Sequence, residues 1–544
     1  MTSALLLMAF LSWPQLGHDA THNGTTSAAA QPIATILADF TYDPFTERER
    51  NDEGDLQNHY AVPLVDGNEI FMATKSGTFL DARRWEAQTW GVTKLELTGG
   101  SAQTRWMTTT DWKPVPGNAT EAAGPQLEPL FQPVLAGDFV YLPGAGGSVL
   151  QIRRADGVVA QQINPFGATI DATIFVSGPL VADADGSILY NALQLDARLA
   201  WSRDTRGAWL VRIAPDGTST KVTYQSIVLN APAANAGCVA AFTNGELPWP
   251  PAPDAIPQLV RCGPQRPGVN VAPAIAPDGT IYTVSRAHLN SRWSYLVALN
   301  HNLSPKWSAS LRDRFNDGCN VELPPNGTPG GCREGALTGV DPSDNTRGAG
   351  RVIDDSSSSP VVAPDGSVIY GAFTRYNYDQ GHLMHFTSTG AFLGSYHFGW
   401  DITPAIRAHD GTYSIVTKEN LYDERGSYCD NPAYCTLRDE EDEGYFITQL
   451  DASLHPEWKF LNELEWCVSA PAIDRDGVVH ANSEDGFLYA LNPNGTLRAK
   501  LFMQPNGGGA YTPLAIDGDG RVYAQNGGHL FVTGGGRRRL VGRP

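Results

Sequence analysis

Three turns in this chain alternate carboxylates with glycine: Asp183-Ala-Asp185-Gly, Asp474-Arg-Asp476-Gly and Asp517-Gly-Asp519-Gly. Alternating carboxylates suit a hard cation such as calcium, which takes about six to eight oxygen ligands. A calcium loop also needs a bidentate acid downstream, and each of these turns runs instead into a strand-like stretch rich in Val, Ile or Tyr. The pattern predicts hairpin turns, and no metal site is assigned. His18 and His22 would stand one turn apart on a helix, the spacing of a zinc pair, but the Asn and Gly around them predict a loop. No His-Glu-x-x-His, Gly-x-Ser-x-Gly or phosphate-binding glycine-lysine loop occurs, so the common hydrolase and nucleotide signatures are missing.

The seven cysteines are distributed unevenly. Cys238 and Cys262, Cys319 and Cys332, and Cys429 and Cys435 form three local pairs, each inside a long insertion, and Cys467 is left over. Pairs that staple long loops predict disulfides and an oxidising compartment, periplasmic or extracellular. Ala4-Leu-Leu-Leu-Met-Ala-Phe-Leu11 reads as a shortened signal segment over residues 1–12 and is too short to span a bilayer.

The elements that must carry these residues come from a repeat. Prolines at 63, 133, 179, 273, 360, 404, 471 and 513 head equivalent units, with spacings of 70, 46, 94, 87, 44, 67 and 42 residues. Each unit runs from a short apolar stretch through Asp-Gly or a variant into a second stretch rich in Val, Ile and Tyr. Asp-Gly predicts a two-residue hairpin with positive backbone dihedrals. Four strands in little more than 40 residues is the size of one propeller blade.

Proline lacks the N–H that a central strand must donate, so its place in each first strand requires that strand to have a free edge, as the innermost strand of a blade has. The expectation is therefore an all-β, eight-bladed propeller of four-stranded antiparallel blades. The eighth unit holds only three strands, and Ile33–Phe40 belongs to no unit, so this N-terminal strand is expected to complete the last blade and close the ring.

One propeller domain is assigned to 13–535, with insertions near 227–267, 311–350 and 420–444 and a basic tail at 536–544 containing Arg537, Arg538 and Arg539. Within the insertions lie a polyproline-like stretch, Glu246–Pro253, and an acidic run, Asp439–Glu443. The net charge of -19, from 39 Lys plus Arg against 58 Asp plus Glu, disfavours nucleic acid and anionic membranes as partners.

Trp13-Pro-Gln-Leu-Gly-His-Asp-Ala-Thr-His-Asn-Gly24, followed by units containing Ala-Pro-Asp-Gly and Val-Ala-Leu-Asn, resembles the opening and the repeats of the PQQ-like β-propeller superfamily, from Trp13 to about Thr533. That superfamily holds quinoprotein alcohol dehydrogenases, which bind pyrroloquinoline quinone with calcium, as well as non-catalytic members, so the resemblance implies the ring more firmly than any activity. Two departures count against quinone catalysis. No two cysteines are adjacent, whereas the dehydrogenases carry a Cys-Cys disulfide over the quinone, and no haem-attaching Cys-x-x-Cys-His is present. Their Trp-containing docking motif survives only in short relatives ending at Trp201, Trp307 and Trp458, which are expected to pack between blades.

Residues just before each inner strand must surround one mouth of the ring: His59, Tyr60, Asn270, Asp354, Asp355 ahead of four serines, Trp400, Asp401, Trp466, Cys467 and Tyr511. Aromatic rings and carboxylates converging on a concavity suit a polar small ligand or sugar. Asp355, Trp400, Asp401 and Trp466 are the candidate ligand contacts. The alternative has the tryptophans filling space between blades and the serines bonding nearby backbone. The functional expectation is an exported, monomeric ring that binds a small ligand, glycan or protein partner without a cofactor. The competing expectation is a PQQ- and calcium-dependent oxidoreductase.

Overall fold

The computed structural model describes residues 12–535, apart from 55, 82, 99–100, 118–123, 241–257, 316–339, 342–345, 375–380, 422–443, 467 and 505–510. Eight antiparallel sheets, each a meander of four main strands, follow one another around a ring. We number them blades 1 to 8, starting at residues 64, 134, 181, 274, 361, 405, 472 and 515. Blade 8 is built from both ends of the chain. Its outermost strand is Thr35–Thr41, which pairs antiparallel with His529–Gly534.

The repeat's turn differs from the expected hairpin. In Ala363-Pro-Asp-Gly366 the glycine amide bonds to Ala363 O at 2.9 Å and Ala363 N bonds to Ser367 O at 2.8 Å. Gly366 has φ +80°, while Asp365 is not among the positive-φ residues. This is a three-residue loop, a type I turn closed by a left-handed glycine, and it follows from Pro364, whose fixed φ suits the second position of a type I turn. Ala276-Pro-Asp-Gly279 repeats the geometry. The Asp-x-Asp-Gly turns are hairpins too: Asp474 accepts the amides of Asp476 and Val478 at 2.9 and 2.8 Å.

Neighbouring blades are fastened by tryptophans landing on glycines. Trp106, Trp307 and Trp458 donate their indole N–H to Arg154 O, Ser388 O and Pro493 O of the next blade, at 3.1, 3.0 and 3.0 Å. A Cβ on Gly157, Gly390 or Gly495 would fall 2.6 to 2.7 Å from the ring it receives. Trp307 and Trp458 thus pack between blades as expected. Trp201 docks elsewhere, on Pro116 O at 2.6 Å.

The inner edges are not left free. Residues 12–31 cross the ring and bond to every blade in ring order. Ser12 and Trp13 pair with Asp66 and Val65 of blade 1. Pro14 O takes the amide of Leu135 in blade 2, and the Gln15 side chain exchanges two bonds with Ala182 in blade 3. Ala20, Thr21, Asn23 and Gly24 then accept from Ile275, Val362, Ile406 and Ile473 of blades 4 to 7, at 2.6, 2.9, 2.7 and 2.9 Å, and Gln31 N reaches Gly520 O of blade 8 at 2.6 Å. In six blades the residue served stands two places after the proline, as the period-two alternation of a strand requires. His18 and His22 lie in this segment as loop residues: His22 Nδ1 bonds Pro360 O at 2.9 Å, and Trp13 meets the His18 ring edge-on.

In the insertion after blade 3, a hairpin of Gly237–Val239 and Leu259–Arg261 carries the expected Cys238–Cys262 disulfide, with both cysteines fully buried. The signal segment through residue 11, Glu246–Pro253, Cys319, Cys332, Cys429, Cys435, Asp439–Glu443, Cys467 and the tail at 536–544 lie outside the described residues.

Candidate functional site

The connectors leading into the inner strands gather at one mouth, as the topology requires, and there they bond across the axis. His59, ahead of blade 1, sets Nδ1 3.0 Å from Glu128 O, ahead of blade 2, and Nε2 3.0 Å from Asp355 O, ahead of blade 5. Blades 1 and 5 are opposite in a ring of eight, so the imidazole spans the mouth. Asp355 ties back from the far side, its carboxylate accepting the amides of Gln126 and Leu127 at 2.7 and 3.0 Å. Tyr511, ahead of blade 8, stacks on His59 with centroids 4.7 Å apart and planes at 8°.

Both ring nitrogens of His59 face carbonyl oxygens, and only the imidazolium donates to both. Burial pulls the imidazole below its ordinary value, while Asp401 and the two carbonyls act in the opposite direction.

The four expected ligand contacts have different environments. Asp355 is half-buried, with its carboxylate engaged as described. Asp401 is 2 % exposed and stands at φ +58°, a strained conformation for a non-glycine. Its Oδ1 accepts from Ser357 N at 2.8 Å and Ser357 Oγ at 3.2 Å, and its Oδ2 lies 3.9 Å from Lys418 Nζ. Trp400 is half-buried and, with Asp401, Phe398, Lys418, Asn420 and Tyr511, lines a cavity of about 30 Å³. Trp466 is fully buried, edge-on to Tyr489 at 5.1 Å, with its backbone held by the Asn420 amide.

The serines bond neighbouring connectors: Ser358 Oγ accepts from Ile402 N at 3.0 Å and Ser359 Oγ from Ala272 N at 2.9 Å. Asp354 is clamped by both Arg266 terminal nitrogens at 2.7 Å and by Arg286 at 3.3 Å. Burial pushes its carboxyl up, but the two guanidiniums outweigh that and hold it at about 2. Asn270 bridges the connectors of blades 2 and 5 through Leu130 N and Asp354 O.

Beside the axis is a second small cavity, of about 20 Å³, lined by His59, Tyr60, Lys75 and Glu128 among others. Lys75 Nζ lies 2.8 Å from Asp43 and 2.7 Å from Glu128, and Tyr60 donates to Asp43 at 2.8 Å. Burial pushes the Glu128 carboxyl up to about 7; Lys75 opposes the shift, and Asp43 and Glu49 reinforce it. A cavity holding one water needs roughly 10–15 Å³, so each axial cavity has room for one or two.

Sequence reasoning missed Lys418, Asn420, Lys75 and Glu128. A usable signal was present: Lys418-Glu-Asn420 interrupts the apolar strand Tyr413–Thr417 where its continuation must be buried. Away from the axis, Asp183, Asp185 and His301 offer three ligand atoms within 4.8 Å of one another. The Arg212 guanidinium occupies that cluster, 2.5 Å from Asp185 and 3.7 Å from Asp183.

No protein-family model and no curated protein sequence matches the chain. Solved structures do. A europium-containing methanol dehydrogenase superposes with TM-score 0.54 at 10% identity, over 96% of this chain and 90% of that one. A quinohemoprotein alcohol dehydrogenase from Comamonas testosteroni gives TM-score 0.53 at 10% identity, over 98% and 82%. BamB from Moraxella catarrhalis gives TM-score 0.42 at 11% identity, over 92% and 98%. At such identities the first two likenesses speak to fold alone: the chain has an eight-bladed β-propeller fold similar to that of those two structures.

Proposed function

We propose that the chain is an exported, non-catalytic propeller that serves as a binding or scaffold module for a small ligand, a glycan or a protein partner. The observation that carries this reading is the hydrogen-bonded closure of the mouth by His59 and Asp355. Ligand pockets usually enclose about 300–1,000 Å³, against about 30 and 20 Å³ beside this axis. The residues present do not fit a quinone with calcium. The carboxylates of Asp355, Asp401 and Asp354 already accept from backbone, serine or arginine donors, so a metal would have to displace those partners. The buried Cys238–Cys262 disulfide supports export, and no helix among the described residues is long and apolar enough to cross a membrane.

The test is a titration of the oxidised protein with pyrroloquinoline quinone and calcium, following cofactor absorbance, thermal midpoint and dye-linked oxidation of alcohols and sugars. The expected result is no saturable change in any of the three. A raised midpoint with saturable absorbance and dye reduction would overturn the reading and make the protein a quinoprotein oxidoreductase.

A further inference from the structure

A cavity of ligand size lies off the axis. The loop joining the second and third strands of blade 3, residues 195–206, borders a depression of about 440 Å³ whose lining includes Arg198, Arg203 and Arg206. Among the described residues one carboxylate, Asp196, lines it with them. That local excess of cations runs against a chain whose net charge is -19.

The loop is held from both ends. Asp196 accepts the amides of Arg198 and Leu199 at 2.9 and 3.2 Å and the Arg206 guanidinium at 2.7 Å. Those backbone amides and Arg206 pull its carboxyl down to about 2. Trp201, 6 % exposed, pins the far end: its indole donates to Pro116 O at 2.6 Å and its face carries the Arg266 guanidinium at 5.4 Å. Asp204 pairs with Arg261 of the disulfide-stapled hairpin. Behind the wall, Asp171 is engaged by Thr173 and Gln194.

Two cations are left over. The Arg198 and Arg203 guanidiniums make no hydrogen bond or ion pair with a described residue, and both are exposed. A guanidinium is a planar fork that matches a carboxylate or phosphate in two bonds. The volume exceeds what a bare inorganic anion needs and suits a molecule of one or two sugar rings.

We propose that this depression binds a small organic anion carrying at least two oxyanion groups, with Arg198 and Arg203 as its anchors and the Asp196–Arg206 pair fixing the loop that presents them. This site is independent of the axial reading, and its failure would leave that reading untouched.

The experiment is isothermal titration at low ionic strength with three probes: citrate, digalacturonate and inorganic phosphate. Each is run on the wild type and on the R198Q/R203Q double variant. The expected result is one saturable site per chain for citrate or digalacturonate, weakened about tenfold or more in the double variant and by added salt. The unliganded thermal midpoint should stay unchanged, because both side chains are exposed. Absence of saturable heat up to about 10 mM, equal affinity in wild type and variant, or binding of phosphate alone would each overturn the assignment.

Discussion

At the scale of single residues, Glu128 is a carboxyl that burial holds well above its ordinary range. It shares a buried cluster with Asp43 and Glu49, and Lys75 is the cation bonded to it. A raised carboxyl in the folded state means that, between the ordinary value near 4.5 and the folded value of about 7, the native protein holds a proton the unfolded chain has released. The contribution of Glu128 to stability must then fall as pH rises through that window, because at this group the native state binds the extra proton. The full span amounts to roughly 3 kcal/mol. Glu128→Gln removes this titration, so in chemical denaturation from pH 5 to 8 the stability of the wild type relative to the variant should fall. Equal slopes would mean that the cluster distributes its charge in some other way. The same cluster underlies the mouth, since the Glu128 carbonyl is one of the two acceptors of His59.

At the scale of elements, the segment 12–31 explains both the prolines and the glycines around it. Each proline removes an N–H from the start of an inner strand; in five blades the N–H two residues later is delivered to this segment, and in blade 1 the residue two places on pairs with it. Gly24 is the glycine of this segment that packs against two blades. Its φ is +68°, and a Cβ there would lie 2.9 Å from Ala405 Cβ and 3.0 Å from Pro471 O, on blades 6 and 7. Gly67 supplies the matched control, with φ +60° and nothing within 4 Å of its Cβ position. Gly67→Ala should cost about 1 kcal/mol for the left-handed conformation alone. Gly24→Ala should cost about 2–4 kcal/mol, because overpacking is added to it. Equal unfolding midpoints for the two variants would remove the segment from the list of elements that stabilise the ring. Part of this was legible in the sequence. The prolines and the Asp-Gly turns repeat, so the blades and the position of the mouth could be read directly. The crossing segment was legible only as the Trp13–Gly24 motif, because most of its bonds to the blades are made by backbone groups, which name no residue type for the place they fill. The closure of the mouth uses His59, Asp355, Gln126 and Leu127, which stand in connectors of different length with no shared pattern. Trp466 was placed among ligand contacts by its position alone, whereas its neighbours Phe460 and Tyr489 enclose it.

At the scale of the whole molecule, the two closures make the ring depend on its first thirty described residues. Thr35 Oγ1 bonds Gly534 O at 2.8 Å across 499 positions of sequence, and residues 12–31 touch all eight blades before that strand begins. Contacts of such separation form only after the intervening chain has collapsed, so closure is expected to come late in folding. It also joins blades whose strands contact mainly their neighbours into one cooperative unit, where an open array would unfold piecemeal. The prediction concerns a chain beginning at residue 42, lacking both the crossing segment and the outer strand of blade 8. It should bind a hydrophobic dye and unfold over a broad range, while the full-length protein gives one sharp transition. A synthetic peptide covering 12–41, added in trans, should restore the sharp transition and bury Trp13, which is 1 % exposed in the intact protein, with a corresponding change in its fluorescence. If the shortened chain instead unfolds as sharply and at the same midpoint as the full-length protein, the remaining interfaces suffice. Those interfaces include the tryptophans set on glycines between blades, and the crossing segment would then serve only to fill the channel.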